Sequence, residues 1–494
     1  MTPFLQTIAF LSVRTRHMRK LAYLSLALSA ALSCRDPNVP DLNNPSLDDL
    51  TTHPTPSKVA AAAQGLLVGA RLNIAEYNGY VSELGVFGRE SYIFDPGDNR
   101  FETELLFGPL DPGGPRFGGN LWVVRFANIR AANNLLAALG NSALIGLSAA
   151  EKEATTGFAQ TIQALDFLEV INTRDTIGAP IAVDTKLGDP PAPIQPRDSV
   201  FNHIVRLLDS ADTHLAAGSA AFPFQLSAGF SGFDTPASFR GFNRALKARV
   251  QVYRGAILAC ATCFTDALTL LTGGATFIDT TPGFSFDVGV YHSFGTGSGD
   301  LTNGLYDPTP AKLYAHASLY DSAETQNAST LKDRRFLTKT QFVSLRPYGS
   351  HSDSLGFIRY ASATAPVPII RNEELILLRA EANRGIGGAT NLLDAAKDIN
   401  FIRVHSGNLA PIANLGTQTP DSILRVLLKQ KRYSLLFEGG HSWIDHRHYF
   451  ASGGDLPPTG TLRLFNWPTD KVFLLMPVPL DECLPRTRPS RGCP

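Results

Sequence analysis

Apolar residues recur at helical spacing through much of the chain. An alanine-rich run from Ser57 to Asn73 opens behind Pro56. From Asn120 to Leu139, Trp122, Phe126 and Ile129 share one face. Ser148 with Glu151 three residues on spells a capping box, and the helix it opens runs to about Thr173. Phe201, Ile204, Leu208 and Ala211 form one face of Asp198–Leu215. Leu246, Val250, Tyr253 and Ile257 do the same in Phe239–Ile257, and Phe264–Leu271 follows. Leu375, Leu378 and Ala382 line a further helix that Gly385, Gly387 and Gly388 stop. The next runs from about Asn391 to Arg403 and ends at Gly407. The last begins near Asp421, whose carboxylate suits an N-cap or a first turn, and stops at Gly439–Gly440. These make nine helices, one more than four pairs need.

Short-linked helices predict helical hairpins stacked like a solenoid. No tetratricopeptide consensus recurs at a fixed period. Two long regions break the pattern. Tyr77–Gly119 holds Tyr77, Tyr80, Arg89, Tyr92 and Asn99 among Gly, Asp and Pro, and Gly274–Pro368 holds Asn303, Tyr306 and Tyr348. Loops of this length are functional or carry strands of their own. A hairpin is expected within Phe342–Tyr360.

Composition changes this picture little. With 494 residues, 44% hydrophobic and 18% charged, the chain is globular and long enough for a large core. Its net charge is zero and no basic stripe is evident, so nucleic acid is not an expected partner. The N-terminal segment matters more. Met18-Arg19-Lys20 precedes an apolar run from Leu21 to Leu32, the length of a signal peptide and short for a membrane span. Ser33-Cys34 follows and resembles a bacterial lipoprotein box, with Cys34 the lipidated residue. The alternative is a plain secretory signal in which Cys34 is incidental. Residues 1–17 precede Met18, the expected natural start. Arg35–Thr55 is rich in Pro, Asn and Asp and reads as a tether.

Catalytic motifs are absent: there is no G-x-x-x-x-G-K-[ST], H-E-x-x-H or G-x-S-x-G. Gly295–Asp300 is glycine-rich without a following helix, so it reads as a loop rather than a phosphate cradle. His441, His446 and His448 beside Asp445 are types that bind zinc or iron, but a structural corner is the stronger reading, and no metal or cofactor is expected. Glu374, Glu381 and Glu438 are expected to form buried ion pairs with Arg371, Arg403 or Arg432 rather than an acid/base pair. Besides Cys34 there are Cys260, Cys263, Cys483 and Cys493, which allow three pairings. Closeness in sequence favours Cys260–Cys263 and Cys483–Cys493. A four-cysteine zinc site would need distant segments to meet.

The C-terminal third resembles the signature of the SusD/RagB family of outer-membrane nutrient-binding lipoproteins. An "iR-x-x-E-x-x-L-x-x-A-E-A" run is matched by Ile370, Arg371, Glu374, Leu377, Ala380, Glu381 and Ala382. "iN-x-i-R" is matched by Ile399, Asn400, Ile402 and Arg403. The closing "l-x-F-E-G-x-x-r-w-x-D-x-R" is matched by Leu435, Phe437, Glu438, Gly439, Trp443, Asp445 and Arg447. Gln430, Ser434 and Ser442 depart from the pattern where it has Glu, Glu and a basic residue; a structural role is expected there. Trp122–Asn133, Arg197–Ala211 and Leu474–Glu482 are similar to further family segments.

The resemblance implies a mostly α, SusD-like fold with four stacked tetratricopeptide-like helix pairs, long irregular loops and minor β-hairpins. It divides the chain into a leader (1–33), a lipid-attached tether (34–55) and one domain (56–494). Within that domain it implies N-terminal helix pairs (56–275), a ligand-side insertion (276–368) and the signature region (369–494). It implies no catalysis. It implies a lipid-anchored protein of the outer membrane that captures an oligosaccharide, or a peptide, and passes it to a SusC-like TonB-dependent porin. Aromatic rings and planar polar groups in the loops suit a sugar. The ligand contacts expected on that ground are Tyr77, Tyr80, Arg89, Tyr92, Asn99, Asn303, Tyr306 and Tyr348. The competing classes are a helical-repeat scaffold for other envelope proteins and a lipid-anchored hydrolase, which needs two close carboxylates in a cleft.

Overall fold

The computed structural model describes residues 47–113, 120–184, 188–258, 260–308, 312–450, 470–471 and 473–493. Cys34, the leader and Trp467 lie outside these residues. The helices are α1 (Leu47–Thr52), α2 (Pro56–Arg71), α3 (Tyr80–Phe87), α4 (Arg100–Thr103), α5 (Asn120–Gly140), α6 (Ala149–Arg174), α7 (Arg197–Ala216), α8 (Pro236–Ile257) and α9 (Cys263–Thr272). They continue with α10 (Ser318–Ser322), α11 (Arg334–Lys339), α12 (Asn372–Ile386), α13 (Gly388–His405), α14 (Pro420–Ser434), α15 (His441–Phe450) and α16 (Leu480–Cys483).

The long helices pack in sequence order: α2 on α5, α5 on α6, α6 on α7, α7 on α8, α8 on α9, α9 on α12 and α12 on α13. That is four consecutive pairs, and α14 lies across the last one as the ninth long helix. Local signals set their ends. Ser148 and Glu151 form the expected capping box, with Glu151 N donating to Ser148 Oγ at 3.2 Å and Ser148 N to Glu151 Oε2 at 2.8 Å. Thr55, Thr235 and Thr419 cap α2, α8 and α14, each with Pro at the first helical position. The faces read from the sequence are buried: Leu375, Leu378 and Ala382, and Phe201, Ile204, Leu208 and Ala211, are at most 2% exposed. No helix among the described residues is long and apolar enough to cross a membrane.

Several elements differ from expectation, among them the short helices α3, α4, α10 and α11 inside the two regions read as irregular loops. Residues 47–52, inside the stretch read as a tether, form α1, and its Thr51 carbonyl accepts from Asn141 Nδ2 at 2.7 Å. Helix α14 ends at Ser434 rather than at Gly439–Gly440. Phe437 takes φ 60°, and the buried Glu90 carboxylate accepts from the amides of Phe437 (3.1 Å) and Ser442 (3.2 Å), which pins the turn. Burial pushes the Glu90 carboxyl up to about 7, against those bonds. Beyond Gly440 the segment read as a corner is helix α15.

The strands are β1 (Ser91–Ile93), β2 (Ala179–Pro180), β3 (Ile194–Gln195), β4 (Gly289–His292), β5 (Leu313–Ala315), β6 (Thr340–Tyr348), β7 (His351–Phe357) and β8 (Val367–Arg371). The expected hairpin is β6–β7. It belongs to a four-stranded antiparallel sheet in the order β1-β5-β7-β6. One strand from the first long loop thus pairs with strands from the second. A large apolar core follows the helix pairs, another lies beneath the sheet, and a smaller one sits between α12, α13 and α14.

The signature residues join these cores through buried ion pairs; Glu438 pairs with Arg371 as expected, while Glu374 and Glu381 take partners that were not. Glu438 binds Arg371 at 2.9 Å and Lys339 at 3.0 Å. Glu374 binds Arg249 at 2.6 Å, and Glu381 binds Lys431 at 2.7 Å, which also holds Asp445 at 2.5 Å. Arg403 pairs with Glu324 at 2.9 Å, while Asn400 exchanges bonds with the main chain of Ile412. Arg447 lies over the Trp443 ring at 3.9 Å and donates to Asn172 O. Among the described residues Arg432 pairs with no carboxylate; it donates to Ser318 Oγ and Arg89 O. At the departing positions, Gln430 Oε1 and Ser434 Oγ accept from Arg335 at 2.7 and 3.0 Å, and Ser442 Oγ donates to Gly88 O. Arg335 finds its counter-charge in Asp333 at 2.6 Å, so neutral residues suffice there. Both sequence-local disulfides are formed, Cys260–Cys263 and Cys483–Cys493.

Candidate functional site

The eight ligand contacts expected from the sequence separate into two groups. Tyr80, Arg89, Tyr92 and Asn303 are core. Tyr80 Oη accepts from Asn172 Nδ2 at 3.1 Å, and Arg89 donates to Val86 O and Lys471 O. Tyr92 is fully buried, stacked between Phe94 at 5.4 Å and His316 at 5.1 Å. Asn303 donates to Ala365 O and accepts from Leu305 N, closing a turn. Arg89 and Asn303 thus serve buried main chain and Tyr80 a buried side-chain amide, and burial leaves little of any of the four exposed.

Tyr77, Asn99, Tyr306 and Tyr348 remain at least partly exposed, and the sheet gathers their segments. Pairing of Tyr92 with Tyr314 brings the first loop beside the second. Tyr348, at the end of β6, stacks on Phe94 at 5.2 Å and donates from its hydroxyl to Asp98 O at 2.5 Å. Asn99 follows at once, just before α4, and Phe101 in that helix lies 6.1 Å from the Tyr77 ring. Gly304, two residues before Tyr306, crosses directly over Tyr77. A Cβ there would lie 3.0 Å from Ala75 O and 3.3 Å from Tyr77 N.

Two polar residues complete this surface and were not singled out from the sequence. Lys312 Nζ sits 4.1 Å above the Tyr77 ring and 2.9 Å from Asp95 Oδ2. Burial opposes ionisation of Asp95, but bonds from Lys312, the Gly97 amide and Tyr77 outweigh it and lower its pKa. Nothing local in the sequence marks Lys312; its place depends on the β1–β5 register. The result is a set of partly exposed tyrosines whose segments meet beside the sheet, with a fixed ammonium–carboxylate pair among them.

Behind Tyr348, the hairpin turn is clamped. The buried His351 ring meets Glu102 Oε1 through Nδ1 and Asp470 Oδ1 through Nε2, both at 2.7 Å. Glu102 also accepts from Ser350 N at 2.6 Å. Burial disfavours the imidazolium, but the two carboxylates outweigh it and raise the His351 pKa.

Open space of ligand size lies elsewhere. A cleft of about 870 Å³ runs between the N-terminal half of α8, the loop 228–233, residues 274–277 and β4. Tyr291, Ser293 and Phe294 separate it from a second cleft of about 450 Å³ against α2. Arg71 lines the smaller one and bonds Ser293 O and Asp300, both at 2.5 Å. Among the described residues no group of three or more His, Cys, Asp and Glu side chains converges as metal ligands would.

No family model and no curated sequence matches the chain. Solved structures do. A SusD superfamily protein from Bacteroides vulgatus superposes with a TM-score of 0.61 at 16% identity, covering 89% of this chain and 99% of the other. A SusD-like carbohydrate-binding protein from Bacteroides fragilis gives 0.60 at 15% identity, with coverages of 79% and 86%. Surface glycan-binding protein A from Bacteroides uniformis gives 0.56 at 14%, with 77% and 85%. The chain therefore has the fold of the SusD superfamily, mostly α with small sheets.

Proposed function

We propose that the protein is a SusD-type outer-membrane lipoprotein, anchored through Cys34, that captures a glycan and delivers it to a TonB-dependent porin. The observation that carries this reading is the gathering of Tyr77, Asn99, Tyr306 and Tyr348 from two separate loops around one sheet. Sugar rings present C–H faces to aromatic rings and hydroxyls to planar polar groups, and this surface offers both. The ion-paired helices beneath it form a rigid support, so little ordering is needed on binding. Carbohydrate binding by the B. fragilis structure of the same fold agrees with it. No covalent chemistry is assigned to the protein.

The test is a glycan array on the purified protein, followed by calorimetry of hits against Tyr77→Ala and Tyr348→Ala. Binding only to peptides would replace the glycan by a peptide. A scaffold role for other envelope proteins has one observation in its favour. The outer face of the β6 hairpin exposes Phe342 (63%) and Leu345 (66%), and Phe342 meets Tyr320 at 5.2 Å. Co-purification of a porin, lost on Phe342→Asp, would assign that face to delivery; co-purification of other envelope proteins without glycan binding would favour the scaffold.

A further inference from the structure

The 870 Å³ cleft is lined by none of Tyr77, Asn99, Tyr306 and Tyr348, and helix α8 forms one of its walls. Helix α8 buries Phe239, Phe242, Leu246 and Val250 on one side. On the other side Ala237, Arg240, Gly241 and Arg244, spaced i, i+3, i+4 and i+7, line the cleft. Both guanidiniums grip the same carboxylate: Arg240 reaches Asp212 at 3.1 and 3.0 Å, and Arg244 at 2.8 and 3.2 Å. Two donors of each are used, and the other three find no acceptor among the described residues. Each side chain stays 28% exposed, so one carboxylate fixes two cations and leaves a net positive charge on the wall. The N-terminal turn of α8, with Ala237 and Ser238 on the cleft, adds a positive helix end.

Gly241 sits between the two arginines in the interior of a helix. No protein atom lies within 4 Å of a Cβ built there, so packing does not require glycine. Glycine in such a place costs up to about 1 kcal/mol against alanine, and what it leaves is cleft space. Phe233 and Phe277, edge to face at 4.8 Å, and Tyr291 also line the cleft. Among the described residues Asp287 is the one carboxylate on the cleft wall, and it lies 3.8 Å from Arg371. Oriented cations and aromatic rings thus line one space of ligand size.

We propose that this cleft is a second binding site, for a carboxylate-bearing sugar of an acidic oligosaccharide, with Arg240 and Arg244 on the carboxylate and the aromatic rings on the sugar ring. The sugar class rests on the glycan reading above; the site itself does not involve the tyrosine surface.

Calorimetry of the purified protein with trigalacturonate, the neutral maltotriose and a triglutamate peptide tests it. Trigalacturonate binds, weakening at high salt. Arg244→Met weakens it about tenfold or more, as loss of a charged hydrogen bond requires. Gly241→Trp fills open space on a folded helix and abolishes it. Tyr77→Ala leaves it unchanged, so failure of the tyrosine surface and failure of the cleft are separable. Absence of trigalacturonate binding, equal binding of maltotriose, tighter binding of triglutamate, or binding that survives Gly241→Trp each overturns the proposal.

Discussion

The hydroxyl of Tyr348 donates a 2.5 Å hydrogen bond to the main-chain carbonyl of Asp98, across 250 residues of sequence. It fastens the tip of the β6–β7 hairpin to the first long loop, at the residue before Asn99. Tyr348→Phe removes that bond and keeps the ring on Phe94. Urea unfolding should show a loss of about 1 kcal/mol, the net worth of one such bond.

The His351 clamp makes stability depend on pH. Its pKa is raised in the folded protein by Asp470 and Glu102, against burial. A raised pKa gives stability that is complete below the unfolded value, about 6.5, and is lost as pH rises through the folded value. Above that, two carboxylates share a neutral ring. Thermal unfolding from pH 6 to 9 should show a falling melting temperature that His351→Gln flattens. An unchanged slope in the variant would remove the clamp from the explanation.

Glu438 binds Arg371, Lys339 and Arg359 in the buried junction between α14, α11 and β8. Burial opposes its ionisation, yet these cations hold its pKa well below the usual carboxylate range. Glu438→Gln strands their charges and should cost about 3–5 kcal/mol in the urea midpoint analysis. Because the pKa is depressed, the native pair's contribution is present at neutral pH and fades only as pH falls through that low value.

Cys34 should carry the lipid. Cys34→Ser is expected to move the protein from the membrane fraction to the soluble one, with mass spectrometry showing no acyl chain. Retention in the membrane by the variant would point to another anchor.

The helices were legible because each carries its own signal. The apolar face of Asp198–Leu215 and the Ser148–Glu151 box are local facts, and their bounds agree with α7 and α6 to within a residue or so. The site was half legible. Composition marked both loops as aromatic and polar, but it could not tell Tyr92, sealed by Phe94 and His316, from Tyr77, which reaches the surface. That difference follows from the β1–β5 register, a pairing between residues more than 200 positions apart. Glu374 was likewise read as an ion-pair member, but its partner Arg249 lies on α8, and no spacing within the signature region points there. The cleft stayed hidden because Arg240 and Arg244 look like an ordinary solvated helix face until Asp212 and the loop 228–233 are placed beside them.

The central claim is that Tyr77 and Tyr348 together present a sugar-binding surface. Titration of a glycan identified on the array into wild type, Tyr77→Ala and Tyr348→Ala decides it most directly. Each loss of stacking on a sugar ring is expected to weaken binding about tenfold, while the melting temperature moves by only a few degrees. Unchanged affinity in both folded variants would contradict the account and place the glycan elsewhere on the protein.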